Sequence, residues 1–268
     1  MSQRVDKPAR RPRAVDDPWF HQRIVLINHR GLSPGLPENT LAAFKNSVAL
    51  GVDVIELDLR GTKDHRPVVL HDPTVDRTTD GAGAIESLML RQLKKLDAGS
   101  HVNGKFSGER VPTYEAVLQL VAGTGVKLLL DIKPGKTLAP ANVVRLTKKY
   151  RAESNVIVGA RTLEDLALFR RLSPTIRILG FVKNRRDIDP FLRAGAEIIR
   201  LWPQWIDATP ALMRKIQESG HPVWVTADDA GRKDLCKLIR QGVNGILSDR
   251  PELLAELLGG AECGTIKD

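Results

Sequence analysis

From Ile24 onward, short runs of aliphatic and β-branched residues alternate with stretches whose apolar positions recur every three or four residues. The first kind predicts buried strands at Ile24–Asn28, Val52–Leu59, Lys127–Ile132, Asn155–Val158, Ile176–Gly180, Glu197–Leu201, Pro222–Thr226 and Gly245–Leu247. The second predicts helices at Thr40–Leu50, Thr113–Val121, Pro140–Tyr150, Leu163–Leu172, Asp187–Arg193, Pro210–Ser219, Arg232–Gln241 and Pro251–Leu258. Thr162, Thr209 and Asp249 stand where helix caps are expected. Strand followed by helix, eight times over, implies parallel strands with crossover helices and points to an α/β fold, a closed (β/α)8 TIM barrel. An open doubly wound sheet is the alternative. Its dinucleotide fingerprint is missing, since Gly81 and Gly83 lack a third glycine and do not follow the first strand.

One stretch breaks the rhythm. A short apolar run at Val68–Leu70 is followed by Asp72–Pro112, too long for an ordinary connection and carrying turn chemistry at Asp80–Gly83 and Ser107–Gly108. It reads as an insertion after the second strand (72–112), placed on the top face where it could cover a site. The barrel domain then spans 23–258, with a disordered basic arm over 1–22 and a tail over 259–268. The first 18 residues set Arg4, Lys7, Arg10, Arg11 and Arg13 against Asp6, Asp16 and Asp17, among prolines and without apolar periodicity.

Composition changes this picture only at the margins. The chain has 268 residues, 42% hydrophobic and 27% charged, with a net charge of +9. That charge favours anionic partners in general. Aromatic residues, at 4%, are too few and too far from basic runs for a stacking platform, so nucleic acid is not expected. No run is long and apolar enough to span a bilayer, which leaves only peripheral contact of the basic arm with an anionic membrane. Cys236 and Cys263 are too few for a disulfide framework and read as free thiols. Together with the missing apolar core of a signal peptide, they suggest a cytoplasmic protein. The oligomeric state is not encoded in any of these patterns.

In such a barrel the chemistry gathers at the C-terminal ends of the strands. The first strand runs into His29 and Arg30. The second carries Glu56 and Asp58 two positions apart, hence on one side. His71 and Asp72 follow the short apolar run, and the third strand ends in Asp131 and Lys133. Lys183, Arg200, Trp202, Trp224, Ser248 and Asp249 come from later strands. Three carboxylates in one pocket stay ionised only beside a cation or basic side chains. Oxygen ligands on rigid strands suit Mg2+ or Ca2+, and a salt-bridge network with Lys133 and Arg30 is the equal alternative. Two histidines beside such a group are candidate proton carriers.

These residues resemble the glycerophosphodiester phosphodiesterase family. The resemblance rests on His29-Arg30-Gly31, Pro37-Glu38-Asn39-Thr40, Ala43-Phe44, Glu56-Leu57-Asp58, His71-Asp72 and Asp76-Arg77-Thr78-Thr79. It continues through Gly81–Gly83, Phe106, Val111-Pro112-Thr113, Asp131-Ile132-Lys133, Trp224, Gly242-Val243-Asn244-Gly245 and Ser248-Asp249-Arg250-Pro251. It implies a metal-dependent hydrolase acting on a small-molecule phosphodiester and releasing glycerol 3-phosphate and an alcohol. Glu56, Asp58 and Asp131 would hold the divalent cation, and His29 and His71 would share the acid and base roles, in either order. Arg30 and Lys133 would meet the phosphate, with Trp224 packing near the substrate. Trp202 is a further candidate for the pocket. The sequence departs from the family pattern at Asp131, where glutamate is usual. It departs again at Trp224-Val225-Thr226-Ala227, where Trp-Thr-Val-Asn is frequent. Lysophospholipase D or sphingomyelinase D chemistry on a similar barrel, and a non-catalytic barrel that binds phosphodiester headgroups, are the rival readings. The insertion is not apolar enough to favour the first, and no histidine or carboxylate is missing as the second would require.

Overall fold

The computed structural model describes residues 18–21, 23–261 and 263. The chain runs β1 (Val25–Asn28), α1 (Leu41–Leu50), β2 (Val54–Gly61), β3 (Pro67–Val69), α2 (Leu90–Leu93), α3 (Tyr114–Val121), β4 (Lys127–Ile132), α4 (Pro140–Lys149), β5 (Val156–Ala160) and α5 (Leu163–Leu172). It continues through β6 (Arg177–Gly180), α6 (Ile188–Arg193), β7 (Ile198–Leu201), α7 (Pro203–Ala208), α8 (Pro210–Glu218), β8 (Val223–Asp228), α9 (Arg232–Gln241), β9 (Gly245–Ser248) and α10 (Pro251–Leu258). The parallel strands follow the order β1-β9-β8-β7-β6-β5-β4-β2, and β1 pairs with β2 to close the barrel. The expected eight-strand barrel is present.

The apolar run Val68–Leu70 forms β3, which pairs antiparallel with β2 outside the barrel, Leu59 opposite Val69. The insertion that follows packs Val75, Ile85, Leu93, Ala98 and Val111 with Val68 and Leu70 of that run into a small separate core. It contains α2, and α7 is a further short helix that the sequence pattern does not announce. Thr40 caps α1 by accepting from the Ala43 N–H, and Thr162 caps α5 in a reciprocal box with Asp165. Thr209 does not cap α8; its hydroxyl accepts from Arg185 instead.

Alternation along each strand decides what lines the barrel. On β2, Val54 joins the inner apolar cluster while Ile55, Leu57 and Leu59 pack outward against the helices. The same parity turns Glu56 and Asp58 inward, above Val54. Ile27, Leu129, Ile157, Leu179, Ile198 and Leu247 fill the lower interior with Val54. Two glycines make room there for large rings. A Cβ on Gly159 would lie 2.1 Å from Phe181 Cε2, and one on Gly245 would lie 2.7 Å from Trp224 Cδ1.

Phe20 closes the bottom. It is fully buried and stacks on Trp224 with ring centroids 6.1 Å apart, while Trp19 meets it edge-on at 4.7 Å. The arm expected over 1–22 is shorter, because Phe20 belongs to the barrel; residues 1–17 and 22 lie outside the described residues. The thiol assignment is also corrected. Cys236 on α9 and Cys263 form a disulfide across 27 positions, because the chain after α10 returns to α9 and brings their Cα atoms to 5.4 Å. This bridge withdraws the thiol argument for a cytoplasmic location. No helix among the described residues is long and apolar enough to cross a membrane.

Candidate active site

The polar upper layer of the barrel begins where β1 ends. His29, Arg30 and Gly31 make a tight turn in which Arg30 takes a left-handed conformation, φ 53°. Gly31 is required beside it, because its own φ is +68° and a Cβ would lie 2.8 Å from Phe44 Cδ1. This turn presents the Arg30 backbone N–H to Glu56 Oε2 at 3.1 Å. It leaves His29 Nε2 4.0 Å from the same oxygen.

Glu56, Asp58 and Asp131 are 2%, 0% and 5% exposed, and one oxygen from each lies within 4.8 Å of the others. Register explains the meeting: β2 and β4 pair with Asp58 opposite Asp131. Lys133 Nζ sits between these two, 2.8 Å from Asp58 Oδ1 and 2.7 Å from Asp131 Oδ2. Arg30 Nε approaches Asp58 Oδ2 at 3.3 Å, and Asn39 Nδ2 donates to that oxygen at 2.7 Å. Arg161, just beyond β5, donates through Nη2 to Asp131 Oδ1 at 2.7 Å.

The electrostatics follow from burial. Burial, reinforced by the charge of Asp58, pushes the Glu56 carboxyl up to about 8. Burial acts on Asp131 in the same sense, but Lys133 and Arg161 outweigh it and hold its pKa below the usual range. A cation among these oxygens would restore the charged form of Glu56. Asp58 Oδ1 receives no aligned hydrogen bond although Lys133 is close, so an acceptor remains for one. The all-oxygen donor set and this unsatisfied atom fit a hard divalent cation.

The two histidines are braced alike. His29 Nδ1 meets Asp249 Oδ1 at 2.6 Å, and His71 Nδ1 meets Asp72 Oδ1 at 2.6 Å. A carboxylate only accepts, so each Nδ1 carries the hydrogen and each Nε2 is left for other chemistry. Burial disfavours the charged form of His29, but the bond to Asp249 and the charge of Glu56 prevail over burial and Arg30, raising its pKa. Asp249, expected as a cap of α10, therefore serves His29. His71 is linked to the carboxylates indirectly. Arg77 Nε donates to Asp72 Oδ2 at 2.7 Å, Arg77 also holds Glu38 through two 2.8 Å bonds, and Glu38 Oε1 accepts from Arg30 at 3.2 Å.

A sequence model of the glycerophosphoryl diester phosphodiesterase family matches residues 29–253. A glycerophosphodiester phosphodiesterase of Caldanaerobacter subterraneus subsp. tengcongensis is 35% identical over 240 residues, covering 88% of this chain and 98% of its own. The chain belongs to the glycerophosphoryl diester phosphodiesterase family. Solved phosphodiesterase structures agree. One from Agrobacterium tumefaciens superimposes with a TM-score of 0.77 at 26% identity, covering 87% of this chain and 99% of its own. One from Oleispira antarctica, in complex with the product sn-glycerol-3-phosphate, gives a TM-score of 0.81 at 25% identity over 89% and 98%.

Within this phosphodiesterase fold, His29, Arg30, Glu56, Asp58, Asp131 and Lys133 converge as the sequence suggested, and His71 stands at the edge of the same network. Trp202 immediately precedes α7 at the barrel mouth, its ring 3.8 Å from the Arg200 guanidinium. Trp224 is corrected. It is 1% exposed and lies in the lower apolar interior on Phe20, one inward-facing position below Thr226, so its ring packs within the barrel core. Sequence reasoning missed Arg161 and the roles of Asn39, Arg77 and Asp249. Arg161 could have been found by parity, since Ile157 and Gly159 face inward and the next inward position is 161.

Proposed function

We propose that the protein hydrolyses glycerophosphodiesters to glycerol 3-phosphate and an alcohol. The observation that carries this reading is the meeting of Glu56, Asp58 and Asp131 within 4.8 Å of one another at a barrel mouth flanked by two carboxylate-braced histidines. Glu56, Asp58 and Asp131 would hold a divalent cation, Mg2+ or Ca2+, which would supply Lewis-acid charge for the phosphate. Arg30 and Lys133 donate charge-assisted hydrogen bonds to the phosphate. Neutral His29, its Nδ1–H on Asp249, takes a proton at Nε2 from the attacking water or hydroxyl. His71, one-third exposed beside the insertion, gives a proton to the departing alkoxide as the P–O bond breaks. Water-soluble diesters suit this surface better than acyl-bearing lipids. Among the described residues the large apolar side chains left exposed are Val102 and Leu163, one in the insertion and one at the start of α5.

The test is release of glycerol 3-phosphate from glycerophosphocholine by the purified protein. Activity should vanish with EDTA and return with Mg2+ or Ca2+, and the ion that restores it at lower concentration is the preferred one. Activity that survives exhaustive chelation removes the metal from the proposal. Absence of hydrolysis with either ion across deacylated phospholipids overturns the reading itself.

A further inference from the structure

Among the inward-facing basic side chains of the upper barrel, three close on carboxylates: Arg30 on Asp58 and Glu38, Lys133 on Asp58 and Asp131, and Arg161 on Asp131. Arg200 does not. It follows Ile198 on β7 by two positions. Ile198 belongs to the inner cluster while Ile199 and Leu201 pack outward, so Arg200 also faces in. It is only 8% exposed, and its Nε and Nη1 have no hydrogen-bond partner. Its neighbours are the Trp202 ring at 3.8 Å, the Phe181 ring at 5.3 Å and, in the field around it, Arg161, Asp131 and Asp228. Two aromatic faces steady a guanidinium, but they do not satisfy in-plane N–H groups. A buried charge with idle donors is unfavourable unless a ligand completes it. Placed at the mouth where the phosphodiester enters, the missing group is an oxyanion.

We infer that Arg200 is a substrate-binding residue, whose guanidinium, laid on Trp202, receives an oxyanion of the bound diester. The inference rests on the phosphodiesterase reading above. The oxyanion belongs either to the phosphoryl group that is cleaved or to an anionic group on the leaving alcohol.

The experiment compares wild type with R200M and R200K on glycerophosphocholine and on bis(glycerophospho)glycerol, whose leaving alcohol carries a second phosphodiester. Affinity for glycerol 3-phosphate is measured alongside by calorimetry, with Tm as the check on folding. If the cleaved phosphoryl group is the ligand, R200M raises KM for both diesters and weakens glycerol 3-phosphate binding, each by about 10- to 100-fold. If the ligand lies on the leaving alcohol, R200M loses that factor on bis(glycerophospho)glycerol alone and leaves glycerol 3-phosphate binding unchanged. In either case R200K, which keeps the charge and loses the fork, recovers part of the loss. Wild-type constants on both diesters with unchanged product affinity in a folded R200M overturn the inference. So does a fall in kcat alone that tracks a lowered Tm. Failure of the wild type to cleave either diester refutes the phosphodiesterase reading instead. Wild-type cleavage with an indifferent R200M refutes only this one.

Discussion

The two histidine flanks of the site are built on the same bond and differ in everything around it. His29 stands on the barrel itself, mostly buried, and its carboxylate partner Asp249 comes from 220 positions away at the end of β9. His71 stands just ahead of the insertion, is one-third exposed, and takes its carboxylate from the next residue, Asp72, which is in turn clamped by Arg77. Closure of the barrel therefore positions His29, whereas a local chain of ion pairs through Asp72, Arg77 and Glu38 positions His71. A group held by the scaffold suits the buried step of the reaction. A group held by a surface loop suits the step in which the alcohol departs to solvent.

The sharpest test of this division is removal of each ring. H29A and H71A should each lower kcat by about 10²- to 10⁴-fold on glycerophosphocholine. An activated p-nitrophenyl leaving group needs no acid, so it should restore most of the H71A rate and little of the H29A rate. Equal restoration in both would erase the distinction. Next in size are the carboxylate partners. D249N and D72N should each lose about 10- to 100-fold, the worth of one charge-assisted bond. D249N should also move the acidic limb of the kcat/KM profile to lower pH, because Asp249 raises the His29 pKa.

Stability should separate the flanks by sign. His29 has a folded pKa above the value of about 6.5 for an exposed imidazole, so its contribution is full below that pH and is lost as pH rises through the folded value. Asp72 is the reverse. The Arg77 bond lowers its pKa strongly against some burial, so its contribution is present above about 3.9 and is lost as pH falls through the folded value. In metal-free protein, H29Q should flatten the alkaline side of Tm against pH and D72N the acid side. A common response would show one coupled network. The smallest effect belongs to R77M, which should slow turnover by about 2- to 5-fold through looser placement of His71, since exposed ion pairs contribute at most about 1 kcal/mol. A loss as large as that of D72N would make Arg77 part of the reacting group.

How far the sequence reaches follows the same contrast. Parity along β1, β2 and β4 is a local property, so the sequence alone suffices to bring His29, Glu56, Asp58, Asp131 and Lys133 to one mouth. The eight-strand closure was readable from the strand–helix rhythm. Asp249 was misread because a residue ahead of a helical pattern looks like a cap, and only barrel closure shows that His29 claims it. Trp224 was misassigned because an aromatic on a late strand carries no mark of depth; Gly245 and Phe20, which make its berth, are remote in sequence. Cys236 and Cys263 looked unpaired because their approach depends on the path taken after α10. The insertion's own core was hidden by its irregular spacing.

The Phe20–Trp224 stack gives the cylinder a solid base. Entry and exit consequently share the opposite, open end. On the proposed function, the diester would arrive, and both fragments would leave, by the rim beside Arg200 and Trp202. The fragment retaining the phosphate has the most cations to let go of, so it should depart last and, as it accumulates, queue against incoming substrate.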